Sequence, residues 1–155
     1  MKDEKILAAE AAAGSHEAFE LLLRPHRLGM LGLAYRMTGN EEEAKEVIQE
    51  ALMKMYRYLH RYDGQRKFRN WAFQVVANVS RDYLRKKIRQ DDLNKEYNMK
   101  LTEDSTPETR FLDRELRRKI DYCLQDLSPK EKLIYILRER QGFSVKETAK
   151  LTGGS

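Results

Sequence analysis

The twenty residues from Glu41 to His60 constrain this chain more than any other stretch. Ala44, Val47, Ile48, Ala51, Leu52, Met55 and Leu59 recur at i, i+3, i+4 and i+7. That spacing lines one face of an α-helix and cannot line a strand. Glu41, Glu42 and Glu43 stand at its head, where the positive end of the helix dipole favours acids. No comparable apolar–polar alternation marks a strand elsewhere, and no internal repeat is present, so the expected fold class is all-α.

The punctuation along the chain agrees with helices. Gly14-Ser15 interrupts a helix-forming start, and Ser15 is placed to cap HEAFELLLRPHRLGMLGLAYRMTG. Pro25 lies too deep in that segment to be a first-turn proline, which predicts a break there; Gly39-Asn40 ends it. RYDGQRKF carries the Asp63-Gly64 turn signal, and a further helix is expected from about Arg69 to Lys87. Residues 90–106 lose periodicity and hold five acids against two lysines, the pattern of an acidic linker. Thr106-Pro107 reads as a cap and first-turn proline, opening a helix through Asp126 with Leu112, Leu116, Ile120, Cys123 and Leu127 on one side. Ser128 to Glu131 and Ser144 to Glu147 each match a capping box, with Gly142 between them. Two short helices around such a turn are the start of a helix-turn-helix.

Charge is segregated. The formal net charge is +5, yet Arg57 to Arg89 alone holds ten Lys/Arg against Asp63 and Asp82. From Glu41 to Glu50 the balance reverses, with five Glu against Lys45. Such a chain suggests two surfaces for two different partners. Cys123 is the single cysteine, which excludes a disulfide framework or a thiolate cluster. His16, His26 and His60 have no metal spacing and no phosphate-binding glycine loop occurs, so neither an enzyme nor a cofactor or metal is expected. There is no run of 18 apolar residues, and MKDEKILAAE lacks the order of a secretory signal. No membrane partner is expected, and the default location is the cytoplasm.

The helix over Lys67 to Lys87 carries the most chemistry. Trp71, Ala72, Val75, Val76, Val79 and Tyr83 share one broad side. Gln74, Asn78, Arg81 and Arg85 sit at i, i+4, i+7 and i+11, within a stripe of roughly 60° on another side. An amide can pair with a base edge, and arginines suit phosphate. The preceding loop adds Arg66, Lys67 and Arg69 beside Tyr62 and Phe68, and cations interleaved with rings suit single-stranded nucleic acid. Periodicity alone leaves a solvated basic face as the other reading.

The ordered series AFELL, LAYRMTGNEEEAKEVIQEALMKMY and YDGQRKFRNWAFQVVANVSRDYLRK resembles the extracytoplasmic-function class of bacterial RNA polymerase sigma factors. LSPKEKLIYILRERQGFSVKETAKLTGGS looks like that family's second DNA-binding domain. The resemblance implies a region-2-like domain over 1–89, an acidic linker over 90–106 and a region-4-like helix-turn-helix domain over 107–155. It implies that Glu46, Val47, Gln49 and Glu50 meet the clamp helices of the largest core polymerase subunit. It also implies that Tyr62, Arg66, Lys67, Phe68 and Arg69 with Gln74, Asn78, Arg81 and Arg85 meet promoter DNA, including the single-stranded non-template −10 strand. An anti-sigma factor is the further partner it suggests.

Lys45 stands where the family usually has an acid, and Ala72 where Leu is usual. The chain stops at Ser155, before the segment that would form the recognition helix for a −35 element, so the helix-turn-helix is expected to be incomplete. Leu133, Ile134, Leu137, Val145, Ala149 and Leu151 are then expected to lack a packing partner and to be loosely ordered or covered by another chain. A helix-turn-helix regulator acting without polymerase is the alternative function.

Overall fold

The computed structural model describes residues 3–93, 122–124 and 126–153, with only the backbone of 91–93. Among these residues all regular structure is helical.

Asp3 caps α1 (Glu4–Ala12) by accepting the Lys5 N–H, and Ser15 caps α2 (His16–Leu23) by accepting the Ala18 N–H. Pro25 breaks the long segment as expected: Arg24–His26 tighten into a 3₁₀ turn before α3 (Arg27–Thr38). Gly39 takes φ 74°, a left-handed cap that donates its N–H to the Tyr35 carbonyl at 2.7 Å. Asn40 then accepts the Glu43 N–H at 3.1 Å and opens α4 (Glu41–Tyr58). A 3₁₀ turn over Leu59–Arg61 and a loop over 62–67 lead into α5 (Phe68–Leu93), which runs past Lys87 into residues that read as linker.

Helices α3, α4 and α5 pack on one another, and the α1–α2 hairpin joins the same buried cluster through Leu7, Phe19 and Leu22, with the Phe19 ring edge-on to Tyr56 of α4. Met30, Leu33 and Met37 of α3 meet Val47, Ala51 and Met55 of α4 and Ala72 and Val76 of α5 in one buried cluster. Lys87 and Glu43 form an ion pair at 2.9 Å, tying the end of α5 to the start of α4, so the two helices run antiparallel.

The C-terminal helices correct an expectation. α6 (Pro129–Tyr135), a π turn over Ile136–Arg140 and α7 (Val145–Leu151) pack against α3 and α5 of the same chain. Leu133, Ile136, Leu137, Phe143 and Leu151 join the same cluster as the N-terminal helices. The reason lies in α5. Besides the Trp71 side it buries Phe73 and Ala77, about 140° further round, and the Phe73 ring meets Phe143 edge-on at 5.2 Å. Of the same apolar set, Ile134 and Val145 stay outside this core and are exposed.

Ser144 and Glu147 form the complete capping box, whereas at Ser128 the hydroxyl caps the Glu131 N–H and itself donates to the Glu131 carboxylate. Cys123 is exposed and its neighbour Leu124 is buried, so the apolar side of that stretch differs from the expected one. The linker over 94–106 and the stripe of Leu112, Leu116 and Ile120 lie outside the described residues.

Candidate nucleic-acid interface

Residues 62–67 form a loop whose backbone is fixed by its own side chains. The Tyr62 O–H donates to the Arg66 carbonyl at 2.6 Å, Gly64 turns at φ 74°, and the Gln65 N–H donates to Asp63 at 2.9 Å. Tyr62 packs edge-on to Phe68 at 5.7 Å and leans on Trp71 at 5.9 Å. Burial, then the neighbouring Glu4 carboxylate, pushes the Tyr62 phenol up to about 12.

Phe68 corrects the sequence reading. It is 0% exposed, buried beneath Tyr62 and Trp71, and offers no ring face to a base. Tyr62 is half-buried; Arg66 and Lys67 are exposed. Arg69 is half-buried and engaged, donating to the Gln141 carbonyl with its guanidinium 3.9 Å above the Phe143 ring.

The stripe on α5 lies where the helical period put it. Asn78 and Arg85 are exposed, and Gln74 and Arg81 half-exposed. The Arg66 guanidinium donates to the Gln74 amide oxygen at 3.4 Å, joining loop and helix into one surface. Arg81 donates to the Asn78 amide oxygen at 2.7 Å, which leaves the Asn78 NH₂ as the donor it can present to a ligand. Arg85 pairs with Asp82 at 3.5 Å, an exposed pair that a phosphate can displace at little cost.

On α4, Glu46, Gln49 and Glu50 are exposed, with Glu50 paired to Lys54 at 3.3 Å. Val47 is 0% exposed, so it supports this face from the core and cannot touch a partner. Met53 and Tyr56 stand exposed further along the helix. Glu43 and Glu46 face Tyr83, whose phenol is pushed up to about 12, by burial first and by these carboxylates second.

The sequence reading missed Glu4. Its carboxylate accepts the Phe68 N–H at 2.7 Å and lies 3.3 Å from the Tyr62 hydroxyl. Nothing local in MKDEKILAAE signals this, because its partners are 58 and 64 residues away. Among the described residues no group of three or more His, Cys, Asp or Glu could hold a metal ion, and no helix is long and apolar enough to cross a membrane.

Two family models match the chain: sigma-70 region 2 over residues 22–90 and sigma-70 region 4 over residues 117–155. The two regions in this order define a sigma factor of the sigma-70 type, a non-enzymatic transcription initiation factor. Relatives narrow the class. The chain is 27% identical over 138 residues to the ECF RNA polymerase sigma factor SigE of Mycolicibacterium smegmatis, covering 88% of this chain and 53% of that protein. To the ECF RNA polymerase sigma-E factor of Escherichia coli it is 28% identical over 157 residues, covering 94% and 81%. The chain belongs to the sigma-70 family, in its extracytoplasmic-function class.

Among solved structures, the sigma factor RpoE in complex with the anti-sigma factor NepR from Bartonella quintana shares the fold, with a TM-score of 0.75 at 19% identity over 88% of this chain and 84% of that one. CnrH in complex with the cytosolic domain of CnrY gives a TM-score of 0.69 at 24% identity, over 98% and 84%.

Proposed function

We propose that this chain is a promoter-specificity subunit: it binds core RNA polymerase through the exposed acidic face of α4 and holds the opened −10 strand with the 62–67 loop and the outer stripe of α5. The observation that carries this reading is the Arg66–Gln74 hydrogen bond, which makes the loop and the stripe one continuous basic surface. Residues 1–89 serve as the unit meeting both partners, 90–106 as the acidic connection, and 107–155 as an incomplete region-4-like helix-turn-helix unit.

The division of labour follows from exposure. Arg66, Lys67, Arg81 and Arg85 follow phosphates, while Gln74 and Asn78 offer amides to base edges. Extracting a base costs a few kcal/mol. Stacking returns about 1–3 kcal/mol per base, and Tyr62 is the loop ring with surface to give. Phe68 sets the shape of the loop from below, and Val47 does the same for the acidic face. Arg69 reaches DNA only by releasing Gln141 and Phe143. The likeness to an anti-sigma-bound sigma factor supports an anti-sigma factor as a third, cytoplasmic partner. An independent helix-turn-helix regulator fits less well, because the C-terminal helices are spent on α3 and α5.

The test combines transcription and competition assays with core polymerase. Asn78→Ala and Arg85→Ala should each weaken binding to single-stranded non-template DNA by about fivefold to a hundredfold, a loss of ~1–3 kcal/mol, with core binding intact. Glu46→Lys should weaken competition for core. Parental DNA affinity in both α5 variants would remove that face from the interface.

A further inference from the structure

The N-terminal helix lies before the region 2 match at 22–90, yet it is built into the candidate DNA-binding loop. Glu4, in the first turn of α1, accepts the Phe68 N–H at 2.7 Å. Phe68 opens α5, and the first-turn N–H groups of a helix have no partner within it. A carboxylate from a distant helix therefore caps α5, with the helix dipole in its favour. The same oxygen stands 3.3 Å from the Tyr62 hydroxyl, which gives its proton to Arg66 at 2.6 Å and has Glu4 as its second acceptor. The stem of Lys5 lies over Gly64, its Cγ 3.7 Å from where a Cβ would stand. One end of α1 thus touches the start, the turn and the end of the loop.

We propose that Glu4 is a positioning residue for strand capture: its carboxylate fixes both ends of the 62–68 loop, so that Tyr62, Arg66 and Lys67 meet the opened strand already arranged. The proposal rests on the reading of this loop as a −10 strand site. Holding the loop before binding saves the ordering entropy that a mobile loop would lose on the strand. A bare charge cannot explain the arrangement, because an acid beside a phosphate-binding surface opposes binding through space. What Glu4 contributes is an acceptor at the right reach.

Two near-isosteric changes separate reach from charge. Glu4→Gln keeps the reach and one acceptor oxygen while losing the charge; Glu4→Asp keeps the charge and shortens the arm; Glu4→Ala removes both. The full chain, assembled with core polymerase, is offered a pool of short randomised single-stranded DNA, and the bound strands are sequenced. Hydrogen exchange at the Phe68 amide, thermal unfolding and competition for core are read on the same proteins.

The parent should enrich one base at one position. Glu4→Ala and Glu4→Asp should lower that enrichment and the strand affinity about tenfold, with faster exchange at Phe68 and unchanged core binding. Glu4→Gln should stay within about twofold of the parent. Parental enrichment in Glu4→Ala overturns the proposal, and so does a Gln variant that falls with the Ala variant. If the parent itself enriches nothing, the strand-binding reading fails, and this use of Glu4 fails with it.

Discussion

The contact among α3, α4 and α5 and the contact of the C-terminal hairpin with α3 and α5 belong to one buried cluster but are made of different material. The first is side chains such as Leu33, Val47 and Met55, all fully buried and apolar. The second adds to the Phe73–Phe143 pair a ring of polar contacts. Arg69 donates to Gln141, the Gln141 amide donates to the Gly29 carbonyl at 3.2 Å, and Asn70 donates to Glu147 at 3.2 Å. There the Asn70 amide oxygen and the Thr148 hydroxyl are buried without a hydrogen-bond partner. Each such group costs about 1–3 kcal/mol, so this contact is weaker for its size. The difference teaches that the three helices hold the molecule together, whereas the hairpin is docked on it.

The sharpest break between the two regions comes from Met55→Ala. It should destabilise the whole N-terminal core by about 2–5 kcal/mol, measured by urea unfolding with Trp71, the single tryptophan, as the probe. A loss below about 1 kcal/mol would contradict the packing described for α4.

Gly29→Ala should act with opposite signs on the two regions. Within α3 it favours the helix by about 0.5–1 kcal/mol. The added Cβ, however, would stand 2.8 Å from the Gln141 amide oxygen and 2.9 Å from the Phe73 ring. Hydrogen exchange should therefore quicken over 129–151 and not over α4. Uniform protection in both regions would mean that the hairpin shares one cooperative unit with the core.

The smallest effect is a pH dependence confined to the hairpin. Hydrogen bonding to the Ser144 N–H, then to Asn70, holds the Glu147 carboxyl below its ordinary 4.5. A depressed folded value gives a contribution fully present above 4.5 and lost as pH falls through the folded value. Protection over 144–151, corrected for intrinsic exchange, should decline in that acid window, and Glu147→Gln should flatten the decline.

Much of the fold was legible because its signals are local. Ser15 and Ser144 cap the helices they precede, Gly39 ends the one before it, and Pro25 breaks the segment it interrupts. The polar stripe of α5 was legible for the same reason, since helical period alone places Gln74, Asn78, Arg81 and Arg85 together. What failed was non-local. Periodicity says which face is apolar but not what covers it, so Phe73 and the C-terminal helices could not be matched to each other. Val47 and Phe68 show the second limit: a family motif joins exposed residues with buried ones that hold them in place. Burial separates the two roles.

The π turn at Ile136–Arg140 gives the docked hairpin an address. The Gln141 N–H reaches the Ile136 carbonyl at 3.0 Å, one residue further back than in an α-helix. That extra residue sets the phase of everything after it. Winding the same residues as an ordinary α-helix, with none lost, would swing Gln141 and Phe143 about 100° around the axis. The hairpin's own caps at Ser128 and Ser144 would be untouched, yet its ring and amide would arrive at α5 facing elsewhere. In this chain the length of five residues is therefore a matter of timing along a screw: removing one of them restores ordinary winding with the phase kept, whereas adding one more throws Gln141 and Phe143 out of register.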